Sequence, residues 1–432
     1  MRPTTLRAGT AAGASAFALL LLAATPAAAG GPGGYGHGPG GYGHGPGGGG
    51  AAVTTTGDSG AGSLRAAVQA ANASGSGTIV LSDRVYRLAL AGTDDTAAAG
   101  DLDVTGRLVV EGRGATIDAA GLDRVFDVRP GGSLTLRDVT VTGGRIAGTP
   151  GTTGGASGGG VLNAGTLVVE RSTITANTAT RAGGGVEALA GSTTTVTRST
   201  LSHNSTGPTP GNGGGLHLTG TGTVHVERTT VTGNTAASEG GGLWNSATGT
   251  MTVSRSTIDG NTASGAAADN GGGGLFNDGG SLTVDRSEVR GNSANGAAGS
   301  GGGLFNNAGT LTVTRTVIDG NDARRAGGGI EVLMGTTTLD RTALTGNTTG
   351  AAPGNGGGLH LTGAGTVRID RGTVTGNRAA NEGGGLWNSE PGTMTVTRTR
   401  ISGNTAPVGP DVFQDGAGTG FTVDGQRVPG EA

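Results

Sequence analysis

The chain has 432 residues, 28 basic against 31 acidic side chains, a formal net charge of −3 and no cysteine. The charge balance excludes a global basic field for nucleic acid, and the missing cysteine excludes disulfide frameworks and cysteine-based metal or redox sites. Every basic residue is Arg; 96 Gly and 14 Pro place the composition at the border of low complexity.

Residues 1–29 read as a signal peptide. Arg2 and Arg7 form a positive start, Ala14 to Ala24 holds the apolar run Leu19-Leu20-Leu21-Leu22, and Ala27-Ala28-Ala29 fits a small-residue cleavage site. The run is shorter than the ~20 apolar residues a bilayer requires. The expectation is a secreted, extracellular chain, cell-surface associated or free, with no membrane span after cleavage. Residues 30–52 form a Gly/Pro/Tyr/His-rich linker in which Gly31–His37 is repeated at Gly38–His44. It has almost nothing to bury, so it is expected to be disordered. A spacer is favoured over weak metal binding by His37 and His44.

Residues 53–157 are expected to supply a cap and the first coils of a solenoid. Ser63 is placed to N-cap a short helix with the apolar face Leu64, Ala67, Val68 and Ala71. Short β-rich runs follow at 78–81, 108–117 and 133–141.

Residues 158–410 carry nine repeats. Each opens with Gly-Gly-Gly and an aliphatic residue (Val161, Val186, Leu216, Leu243, Leu275, Leu304, Ile330, Leu359, Leu386), and starts lie 25 to 32 residues apart. Three short β-rich runs per unit, separated by Gly and Asn turns, cannot bury a core alone. They can form one coil of a solenoid. Alternation such as Leu311/Val313 inside and Thr310/Thr312 outside suits strands with one buried face. The fold class is therefore all-β: a right-handed parallel β-helix of about twelve coils with a short N-terminal capping helix. A five-coil block is duplicated, because Gly158, Gly183, Gly213 and Gly240 recur 143 or 144 residues later. Residues 411–432 are expected to cap the other end through Val412-Phe413 and 421–423.

Three ladders follow from in-register stacking. The residue after each aliphatic gives Leu162, Glu187, His217, Trp244, Phe276, Phe305, Glu331, His360 and Trp387. If the flanking leucines point in, Glu187–His217–Trp244 and Glu331–His360–Trp387 point out, as a strip on which sugar rings could stack; loop-covered or inward-turned rings are the competing reading. The Arg ladder is Arg171, Arg198, Arg228, Arg255, Arg286, Arg315, Arg341, Arg371 and Arg398. It reads as a solvated turn face, with Arg228, Arg255, Arg371 and Arg398 as candidate contacts to an anionic polymer. Asn177, Asn204, Asn234, Asn261, Asn292, Asn321, Asn347, Asn377 and Asn404 form a structural ladder at turns.

Gly62-Ser63-Leu64-Arg65-Ala66-Ala67, followed by Ala71-Asn72, resembles the N-terminal motif of the family named for Cys-Ser-Leu-Arg-Glu-Ala, with Gly62 and Ala66 replacing its Cys and Glu. Residues 100–104 and 121–126 are similar to its following segments. The Gly-Gly-Gly-Leu…Asn repeats also resemble those of polymorphic outer-membrane proteins. The resemblance covers roughly residues 53–410. It implies the pectin-lyase-like β-helix fold in secreted or surface proteins and no established reaction; the C-terminal barrel of the outer-membrane proteins has no counterpart in these residues.

Catalytic patterns are sparse. Gly36-His37-Gly38 and Gly43-His44-Gly45 lie in the linker, and Asp94-Asp95 and Asp101/Asp103 are the densest acidic pairs, read as turn formers. No catalytic residue, metal site or cofactor is assigned. The expected function is a non-enzymatic surface, matrix or adhesion component whose partner is an extracellular polysaccharide or cell-wall polymer; the alternative is a polysaccharide-active lyase or hydrolase.

Overall fold

A computed structural model describes residues 51–148, 155–351 and 353–431. The segment read as a signal peptide and nearly all of the segment read as a linker lie outside them. The first strand, Ala51–Ala52, pairs with Ile79–Val80 and so begins inside the segment read as linker.

One coil illustrates the rest. After Gly301-Gly302-Gly303 the chain makes strands Leu304–Asn306, Thr310–Thr314, Val317–Asp319 and Asp322–Ala323. Stacked in parallel, successive coils build four sheets, numbered first to fourth in that order, of 13, 15, 12 and 8 strands. The solenoid has about thirteen turns, one more than expected, because the chain after 410 makes a further coil rather than a separate cap. Val412–Asp415 joins the first sheet and Phe421–Val423 the second, and an antiparallel strand, Gln426–Arg427, closes the run. The fourth sheet was not foreseen; its two-residue strands are too short to leave a periodic signal.

The core is one continuous column. Leu304, Leu311, Val313 and Ile318 are fully buried, and the aliphatic residues at the same positions of neighbouring coils join them. Each such aliphatic stabilises the fold by roughly 1.5–3 kcal/mol relative to exposure, and none could do so in an isolated coil.

The Gly-Gly-Gly signature has a packing cause. At Gly213 the backbone has φ +62° and runs over the next coil element so closely that a Cβ would meet His217 Cβ at 2.6 Å. At Gly214 a Cβ would meet the Gly241 carbonyl at 2.4 Å. The segment is where adjacent coils press backbone on backbone, and side chains have no room.

At the N-terminal end the helix α1 spans Leu64–Ala73. Ser63 Oγ accepts from the Ala66 N–H at 3.1 Å, and Leu64, Val68 and Ala71 bury their face against the first coil. Among the described residues no helix is long and apolar enough to cross a membrane.

Candidate functional site

The outward ladder of the first sheet is longer than the repeats suggested. Register pairs Asp103 with Asp127, Asp127 with Leu162, Leu162 with Glu187, and Glu187 with His217. It continues through Trp244, Phe276, Phe305, Glu331, His360 and Trp387 to Phe413. Two carboxylates thus head a row that continues through Leu162 into polar and aromatic members.

That row is not the open strip expected. Its side chains point away from the central column, but the segment that runs into each Gly-Gly-Gly crosses over them. Glu187 and Glu331 are fully buried, and Trp244 is only 8% exposed. Beneath this cover the imidazole of His217 stacks on Trp244 at 4.3 Å, and that of His360 on Trp387 at 4.2 Å. His217 Nδ1 lies 3.0 Å from Glu187 Oε2, and Thr219 donates its hydroxyl to Glu187 Oε1 at 2.5 Å. The duplicate repeats both contacts through Glu331, His360 and Thr362. The indole N–H groups donate to Glu239 and Glu382, both at 3.0 Å; burial pushes the Glu239 carboxyl up, against the pull of Trp244 and Asn270. Sugar rings cannot stack on rings already stacked and covered.

The arginine ladder is exposed, and its charges are largely matched. All nine residues sit at left-handed turns with φ between 46° and 53°, and their backbone N–H groups bond the adjacent coil, as Arg255 does to Asp285 at 2.9 Å. Arg228 and Arg255 both lie within 3.2 Å of Glu227, Arg371 bridges Asp340 and Asp370, and Arg398 holds Asp370 at 2.6 Å. An anionic polymer would have to displace these carboxylates.

The asparagine ladder is buried and continuous. From Asn177 to Asn377 each amide Nδ2 donates to Oδ1 of the next coil's asparagine at 2.9–3.0 Å, and Asn404 ends the run on Asp411. A second polar ladder escaped notice in the sequence. Asn245, Asn277 and Asn306 stack at the ends of first-sheet strands, and Asn306 reaches the buried Thr337 hydroxyl at 3.1 Å. Asn163 bonds the buried Thr194 in the same way at 2.9 Å. These inward threonines, at positions where other coils hold Leu, Val or Met, mark the partnership.

A concavity lies at the acidic head of the row. A groove of about 680 Å³ is lined by Asp94, Asp95, Asp101, Asp123, Arg124, Asp127 and Arg129, with Leu162 and Leu189 at one wall. Three distant segments build it. Arg65 on α1 pairs with Asp58 at 2.9 Å and donates to the carbonyls of Ala97, Gly100 and Asp101; Asn72 donates to the Asp103 carbonyl at 2.8 Å. Residues 62–72, 100–104 and 121–126, the segments that carry the family-like motifs, therefore converge on one place.

Charges here are unevenly solvated. Arg124 lies 3.2 Å from Asp101 and 3.0 Å from Asp127, and Arg129 lies 3.0 Å from Asp127 and 2.9 Å from Asp95. Burial, reinforced by Asp123, Asp103 and Asp127 and opposed by Arg124, pushes the Asp101 carboxyl up to about 8. Burial also lifts Asp103 to about 6, although it accepts from the Ala97 N–H, and it lifts Asp123. Asp94 behaves oppositely. Desolvation resists, but the N–H groups of Ala98, Thr96 and Ala99 and the Thr96 hydroxyl together hold it at about 2. It is a loop former, as expected, whereas Asp101 and Asp103 do not act as simple turn residues. Among the described residues no group of three or more His, Asp or Glu is placed to hold a metal ion.

The chain belongs to the right-handed β-helix region family, which it matches over residues 126–349, just over half its length. No curated protein matches it. Among solved structures, it is similar to pectate lyase Pel9A (13% identity, TM-score 0.34, 68% of this chain and 66% of that one). It is also similar to tailspike protein 3 of bacteriophage CBA120 (12% identity, TM-score 0.42, 87% and 61%). The mannuronan C-5 epimerase AlgE6 A-module of Azotobacter vinelandii gives 14% identity, TM-score 0.35, and coverage of 82% and 96%. The chain spans slightly less than two thirds of the first two.

Proposed function

We propose that the protein is a secreted surface or matrix component that binds an extracellular polysaccharide in the groove at the head of the first sheet. The observation that carries this reading is the groove itself: five carboxylates and two guanidiniums converge in an open space of about 680 Å³. Carboxylates accept from sugar hydroxyls and guanidiniums donate to ring and hydroxyl oxygens, so the site suits an uncharged or cationic glycan better than an anionic one. Arg129 and Asp127 are the expected contacts, and Leu162 and Leu189 offer an apolar wall to a sugar face. The paired arginines make the Arg ladder a weaker candidate; any polymer held there should leave steeply as salt rises.

The test is a glycan array on the exported protein with Asp127→Asn and Arg129→Ala variants, each checked by circular dichroism for an intact fold. Retention of a bound glycan that falls about tenfold in both variants supports the groove. Undiminished retention rejects it.

A second reading, a polysaccharide-active enzyme, is favoured by one observation. The Asp101 carboxyl, which burial pushes up to about 8, shares the Arg124 guanidinium with Asp127. A protonated carboxyl beside another carboxyl is the arrangement general acid–base chemistry uses. Hydrolase or lyase turnover that is present in the parent chain and lost in Asp101→Asn would establish it.

A further inference from the structure

The second sheet carries a surface that neither the groove nor the ladders above account for. Its strands alternate, and in the coils of residues 250–340 Met251, Val253, Leu282, Val284, Leu311, Val313 and Leu339 point inside, together with Thr337. In four consecutive coils both outward central positions are hydroxyl residues. Thr250, Ser281, Thr310 and Thr336 pair directly with one another in register as one column. Thr252, Thr283, Thr312 and Thr338 form a second column beside it. The first column is exposed and the second half-buried. None of these eight hydroxyls has a hydrogen-bond partner elsewhere in the described protein. Hydroxyls elsewhere are used: Ser256 and Ser287, at the turns flanking the same strands, each donate to a carbonyl two residues back at 2.8 Å.

Strand propensity accounts for threonine here, and the in-register pairing turns a whole block of hydroxyls toward solvent with no partner among the described residues. Columns repeat at about 4.8 Å from coil to coil and at about 6.7 Å between alternate residues of a strand. The result is a lattice of donors, acceptors and methyl groups, without a charge or an aromatic ring inside it. On one side the border is Asp285 and Asp340, each paired to ladder arginines. Along the axis the second column ends at His225 and Arg368, while the first continues through Thr223 and Thr366.

We propose that this face of the second sheet binds ordered water, specifically the surface of an ice crystal. The two repeat distances are of the order of the oxygen spacings on the prism faces of hexagonal ice. A rigid array at that spacing can hold a sheet of water in place through many weak hydrogen bonds, while the methyls exclude disordered solvent between them. Soluble glycans are better served by a concave site with rings to stack on, and a charged polymer finds no charge here. The proposal is independent of the groove.

The experiment grows ice slowly in solutions of the purified full chain and measures both its incorporation into the crystal and the inhibition of recrystallisation. The variants are Thr283→Lys/Thr312→Lys on this face and Thr230→Lys on the third sheet, all with circular dichroism to check the fold. The parent chain and the third-sheet variant should enter ice and slow recrystallisation, and the double variant should lose roughly tenfold of the effect. Exclusion of the parent chain from ice overturns the proposal, as does a double variant with full activity. Retention on crystalline cellulose, or self-association abolished by the double variant, without ice binding, assigns the face to another occupant and equally overturns it.

Discussion

At Asn261 a single side chain closes four hydrogen bonds. Its Oδ1 accepts from the Asn234 backbone and side chain, and its Nδ2 donates to the Val231 carbonyl and to Asn292. Asn261→Ala strands these buried partners and should destabilise the surrounding coils by about 3 kcal/mol, read as a fall in the chemical denaturation midpoint. Arg255→Ala, on the exposed ladder, should change stability by less than about 0.5 kcal/mol in the same assay. Asp101 makes a pH prediction. Its ordinary value is 3.8 and its value in the fold about 8, so the folded state keeps a proton that the unfolded chain loses. The stability it confers is complete below pH about 4 and is lost as pH rises toward 8. Melting temperature should therefore fall over that window, and Asp101→Asn, which cannot ionise, should flatten the slope. An unchanged slope would show that Asp101 is ionised throughout.

Between residue and rod, the element that matters is the covered row of the first sheet. Trp244 and Trp387 are packed between an imidazole and a phenyl ring, at centroid separations of 4.2 to 6.2 Å. Trp244→Ala should cost about 3–5 kcal/mol and expose neighbouring coils to hydrogen exchange, a structural effect that precedes any change in ligand retention. The covering segment is equally intolerant. Gly214→Ala drives a methyl into the Gly241 and Thr235 carbonyls, 2.4 and 2.6 Å away, and should cost about 1–3 kcal/mol with a local rise in amide exchange.

For the whole molecule, stacking means that each coil is stabilised by its two neighbours. The rod should not unfold as one two-state unit. Hydrogen exchange should show protection that is highest in the middle coils and falls toward the ends, where α1 and the strand at Gln426–Arg427 are the covers. The duplication places the same Glu–His–Trp stack at two heights, so single losses at Trp244 and Trp387 should add nearly independently.

The repeat spacing, the inward alternation and the Asn and Arg turns were legible in the sequence because a solenoid writes its structure locally and repeats it. Ser63 was readable as a cap for the same reason: helix capping needs only three residues. The groove was not readable. Asp101, Arg124 and Asp127 lie in coils without Gly-Gly-Gly, and nothing in the motif around Arg65 tells that its guanidinium anchors their loop. Nor was the burial of Trp244 and His217, since alternation tells inside from outside but not what crosses over the outside. The sequence by itself determined the coil, its register and its core. The tertiary structure alone decided which outward residues remain in water, because that depends on chain from neighbouring coils crossing over them, and distance in space is not written in periodicity.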